Sequence, residues 1–162
     1  MLCPETKEPK VSIFNGFAEL KTPCDLVRKL EHDIERLESL PQDQYAAFDF
    51  FVTAEHIVDW VWPADRSARA RLRSSSPLLR ITSHIANGAK HFDATAKHHR
   101  SVLDIEKYRV LEPGCVEEGY FEEPLIVHLT PEEEESIGQN TIEVFKLAKC
   151  VLEYWKANVP EA

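Results

Sequence analysis

The chain has 162 residues, 43% of them apolar and 29% charged, and a formal net charge of −9. Those values place it among soluble proteins built around a single core, and the predicted organisation is one domain over 1–162. Global acidity argues against broad, non-specific binding of nucleic acid.

No apolar run reaches the roughly 18 residues of a membrane span. The amino terminus, M-L-C-P-E-T-K-E-P-K, has no apolar centre of the kind a signal peptide carries. The expectation is a cytoplasmic protein with no membrane contact. Cys3, Cys24, Cys115 and Cys150 are widely spaced and form no C-x-x-C, which points to reduced thiols and not to a zinc knuckle or a disulfide framework.

The charge is unevenly spread. Residues 1–60 carry 6 Lys/Arg against 12 Asp/Glu, residues 61–110 carry 10 against 4, and residues 111–162 carry 3 against 12. Four of the seven histidines, His84, His91, His98 and His99, also fall in the basic middle third. A phosphate-bearing partner is therefore conceivable for that third alone, and the competing reading is that it sits against the acidic flanks within the protein or a dimer.

Taken in order, residues 1–10 read as a flexible tail with two prolines, and V-S-I-F-N-G-F (11–17) is too short to assign between strand and loop. Thr22, Pro23 and Asp25 supply a cap, a first-turn proline and an acidic first turn. Val27, Leu30, Ile34 and Leu37 then recur at helical spacing, predicting a first helix over 22–40. The second, 43–62, is apolar nearly all round and belongs in the middle of a bundle. Its polar residues fall on two lines, Asp49, Thr53 and His56 on one and Glu55 and Asp59 on the other.

After Pro63, the segment holding Arg66, Arg69, Arg71 and Arg73 reads as an exposed basic connector. Ser76 and Pro77 then open a third helix over 77–92, with an extension as far as Arg100 conceivable. Leu78, Ile81, Ile85 and Phe92 form its apolar face, and Arg80, His84, Asn87 and His91 form a polar stripe. Turn signals at Pro113-Gly114 and Glu118-Gly119, between strand-compatible 102–110 and 125–129, predict a small antiparallel hairpin. Thr130-Pro131 with Glu133 in a capping box predicts one last long helix, 131–157. The fold expected is all-α, an up-down four-helix bundle with a small β-hairpin excursion before its last helix.

The segment Ala86 to His91, A-N-G-A-K-H, resembles the Arg-x(4 to 6)-His motif of the HEPN superfamily, helical bundles that include RNA-cleaving members and often dimerise. Asn87 matches a position commonly asparagine in that family, while Ala86 stands where the motif has its arginine. F-D-F-F-V-T-A-E-H and H-I-A-N-G-A-K-H-F are also similar to segments of small bacterial helical proteins of nearly this length. The resemblance implies a HEPN-like bundle, a homodimer, and RNA or nucleotide as partner.

Cleavage of RNA needs a proton-transfer group and a cation beside the phosphate. His91 and Lys90 are the candidate catalytic pair of a metal-independent ribonuclease, with Arg80 as an alternative cation. With Ala86 in the arginine position, binding without cutting is the other expectation, through Arg80, His84, Asn87, Arg69 and Arg71. A second class is a metal site built from Glu55, His56 and Asp59 with His84 and His91. The third is a structural or interaction module in which the same polar groups knit helices together. No motif specifies a cofactor.

Overall fold

The computed structural model describes residues 16–92, 94–108 and 123–159. The expected tail at 1–10, most of 11–17 and both turn signals of the hairpin lie outside the described residues.

Helix α1 (Pro23–Ser39) starts as its sequence dictates. The Thr22 hydroxyl accepts from the Asp25 N–H, and the Asp25 carboxylate accepts from the Thr22 N–H at 2.8 Å, which satisfies two donors that a helix start leaves orphaned. Leu26, Val27, Leu30 and Leu37 are buried along one face. A four-residue turn returns the chain into α2 (Gln44–Val61), capped by the Asp43 carboxylate. Phe50, Phe51, Ile57 and Val58 of α2 are at most 1% exposed, because α2 packs against four other helices, three of them later in the chain. Each such side chain contributes about 1.5–3 kcal/mol relative to exposure.

The expected basic connector is a helix, α3 (Arg66–Ser75), capped by Asp65, whose carboxylate accepts from the Ala68 N–H at 2.8 Å. Its Arg, Ala and Leu residues are strong helix formers, and that propensity outweighs the loop-like serines. Helix α4 (Pro77–His91) corresponds to the third helix expected from the sequence. Ser76 occupies its cap position without a side-chain cap bond. The buried face is Leu79, Ile81, Ile85 and Ala86, with Leu78 only partly covered. Phe92, expected on that face, is 99% exposed. Its backbone turns to a φ of 62°, which ends the helix and throws the ring outward, and the extension to Arg100 does not form.

The hairpin is one edge of a three-stranded antiparallel sheet, β1 (Val102–Lys107), β2 (Leu125–Leu129) and β3 (Thr141–Glu143), in the order β1-β2-β3. Ile105 pairs with Val127, and Val127 with Ile142. Leu125, Val127 and Leu129 alternate inward onto the helices, as a one-sided sheet requires.

The single last helix is instead two. Helix α5 (Pro131–Ile137) stops at Gly138, whose φ of 83° forms a left-handed cap with its N–H on the Glu134 carbonyl. Strand β3 intervenes before α6 (Val144–Asn158), which buries Val144, Leu147, Val151, Leu152 and Trp155. The protein is thus mostly helical and carries a small sheet, so an all-α description leaves out β1 to β3. No described helix is long and apolar enough to cross a membrane.

Candidate functional site

Residues four and three apart on a helix share a face, so the polar stripe of α4 was expected to address one ligand. The structure divides it among different neighbours. Arg80 grips Glu133 of α5 through Nε at 2.6 Å and a second guanidinium nitrogen at 3.1 Å. The Ser101 hydroxyl donates to the same carboxylate at 3.0 Å. Glu133 is 5% exposed, so a guanidinium and a hydroxyl replace the water it has lost. Its expected return to the Thr130 N–H does not occur, because that N–H donates to the Ser101 carbonyl.

His84 faces the start of β1. Its Nδ1 accepts from the backbone N–H groups of Ser101 at 3.1 Å and Val102 at 2.9 Å. A nitrogen that accepts two N–H bonds carries no proton, so the neutral ring holds its proton on Nε2. Burial, and then the nearby His98, push the His84 pKa below its ordinary value. His99 stacks on His84 with centroids 5.4 Å apart, and burial with three neighbouring histidines holds it down at about 4. His98 is exposed, whereas His99 is half-buried. Asn87 turns back on α4 and donates to the Ser83 carbonyl at 2.8 Å.

The arginines of α3 close onto the acidic line of α2. Arg73 donates to Glu55 through Nε at 2.5 Å and to Asp59 at 3.1 Å, and Ser83 of α4 donates to Glu55 at 3.3 Å. Burial pushes the Glu55 carboxyl upward against the pull of Arg73. Arg69 approaches Asp59 at 3.3 Å and also donates to the Trp62 and Pro63 carbonyls, countering the negative end of α2. Arg71 is exposed and donates to Ser67 of its own helix. Glu55 Oε1 and Asp59 Oδ1 are thus each engaged by guanidinium N–H groups. Among the described residues no group of three or more His, Cys, Asp or Glu is arranged to hold a metal ion.

One pair crosses between α2 and α4 without a carboxylate. Lys90 Nζ lies 3.2 Å from His56 Nδ1. An ammonium group only donates, so Nδ1 is the acceptor and the His56 proton sits on Nε2. Burial lowers the His56 pKa, with Lys90 adding to the effect, which keeps the ring neutral. His91 is exposed one residue further along α4.

No family model, curated protein or solved structure matches the chain.

Arg73, Ser83, Ser101 and Glu133 organise this region although none stood among the candidate ligands. Arg73 and Glu133 each lie in a like-charged run, where sequence gives no means of singling out the member that turns inward.

Proposed function

We propose that this chain is a non-catalytic binding module whose α2–α4 face takes a phosphate-bearing ligand, a nucleotide or RNA, through Lys90 and His56. The observation that carries the reading is the Lys90–His56 pair: an exposed cation held against a neutral imidazole, with a further N–H on Nε2. A cation and an adjacent N–H donor suit a phosphate, which offers several acceptor oxygens. Arg69, Arg73 and Arg80, the neighbouring arginines, are each engaged with a carboxylate. His91 flanks the pair as an outer contact, and with Ala86 in the arginine position the reading is binding without cleavage.

The same reading carries a HEPN-like, up-and-down arrangement of α1, α2, α4 and α6 and a cytoplasmic homodimer, the latter supported by Trp62 standing 44% exposed. Light scattering at micromolar protein tests the dimer, and a monomeric mass would overturn it.

Fluorescence anisotropy with labelled RNA and nucleotides at low and moderate salt tests the ligand. Affinity should fall with salt, and Lys90→Met should weaken binding and reduce the logarithmic salt slope by about one. Absence of binding at low salt, or a Lys90→Met protein that binds as the parent does, would exclude this face.

A further inference from the structure

A concavity lies between the first turns of α2, the last turns of α4 and strand β1. Its volume is about 470 Å³, and its apolar walls include Phe48, Phe51, Ile85, Phe92, Leu103 and Ile105. Sites for small molecules commonly span about 300–1,000 Å³. Phe92 is 99% exposed, Leu103 67% and Phe48 46%. Single exposed apolar residues are ordinary on a protein surface, but several around one groove mark a binding surface. Phe92 also adopts a left-handed backbone, a conformation unfavourable to a bulky residue.

We propose that this groove binds a small uncharged molecule with an apolar body and one hydrogen-bond acceptor, and that His84 supplies the donor. His84 lines the groove, and its backbone partners fix the tautomer, so its remaining ring nitrogen is always an N–H donor. Asp104 lines the groove as well. An anionic ligand would be repelled by that carboxylate, whose Oδ1 is already engaged by the Ile105 N–H.

Two features of β1 turn away a strand, the other occupant that such an edge invites. The Ile105 N–H is already bound to the Asp104 carboxylate at 2.7 Å, and a bulge between Val102 and Asp104 breaks the regular register. A second copy pairing antiparallel about Ile105 would set Asp104 opposite Glu106 twice, and like charges directly opposite are destabilising.

Gly88, on the wall of the groove, provides a clean block. Among the described residues a Cβ there meets only the Ala94 Cβ at 4.0 Å, so leucine fits the backbone and extends into the space while raising helix propensity. The probe is Nile red, an uncharged aromatic ketone whose emission rises on leaving water, titrated into the full chain. Saturable binding of one dye per chain is expected, and Gly88→Leu should weaken it at least about ten-fold with unchanged circular dichroism and an equal or higher melting temperature. Diphenylhexatriene, an apolar rod with no acceptor, should bind the parent about three- to ten-fold more weakly, the value of one neutral hydrogen bond. Absence of saturable Nile red binding, or equal binding by Gly88→Leu, overturns the site. Equal affinity for the two dyes overturns the role of His84. A dimer in the parent that becomes a monomer in Gly88→Leu would assign the groove to a second copy and overturn the proposal.

Discussion

Replacing Arg80 with methionine keeps most of the side chain's length and removes its charge, which separates the two halves of the Arg80–Glu133 pair. The two partners differ in exposure: Glu133 is 5% exposed and Arg80 31%. Removal of Arg80 therefore strands a carboxylate that water can hardly reach, leaving it the Ser101 hydroxyl as its remaining side-chain donor. Breaking a buried pair in this way typically costs about 3–5 kcal/mol. Water entering where the guanidinium reached the surface favours the low end, about 3 kcal/mol. The converse change, Glu133→Gln, keeps an acceptor for Arg80 and leaves a guanidinium that solvent can still hydrate, so its cost is about 1–1.5 kcal/mol. For a chain of this length each kcal/mol shifts Tm by about 2–4 °C. Arg80→Met should thus lower Tm by about 6–12 °C and Glu133→Gln by about 2–6 °C. Urea denaturation at neutral pH gives the free energies directly, and equal slopes would show that both variants unfold from the same compact state. If Glu133→Gln costs as much as Arg80→Met, or more, burial is not what governs this pair.

Acidification should destabilise the protein. His99, held at about 4, and His84 and His56, both lowered, stay neutral in the fold, whereas the unfolded chain protonates its histidines below about pH 6.5. Their contribution is complete above that pH and lost as pH falls through the folded values. Glu55, raised by burial, opposes the trend as one group against three, so the urea midpoint should drop between about pH 7 and pH 4.5, and a flat or rising profile would contradict the assignment. Gly138→Ala forces a side chain into a left-handed cap with open space around it, so the cost of about 1–2 kcal/mol comes from the backbone alone; an unchanged Tm would disprove that cap. Thr22→Ala removes half of a capping box and should cost about 1 kcal/mol, whereas Ser76→Ala, at a cap with no side-chain bond, should change stability by less than about 0.5 kcal/mol, and equal losses would contradict the two cap geometries.

Sequence alone carried the parts of this protein that depend on neighbours in the chain. Thr22-Pro23-Asp25 set the start of α1, and the all-round apolar run between Asp43 and Trp62 set α2 and its central position. The α4 start at Pro77 was legible for the same reason, since caps and periodicity act within a turn or two. Two further local signals are present in the sequence: Gly138, which splits the last helix, and the helix-forming alanines, arginines and leucine of α3.

The pairing of charges was not legible at all. Arg80 and Glu133 are 53 residues apart, and Lys90 and His56 are 34 apart, so nothing in either neighbourhood selects the partner. Packing of α2 against α4 put Lys90 beside His56. Packing of α5 on α4 turned Glu133 from its own cap toward Arg80. The stripe that helical spacing drew as one surface became several separate contacts, because burial obliges each polar group to find a partner and only the tertiary arrangement determines which partner lies within reach.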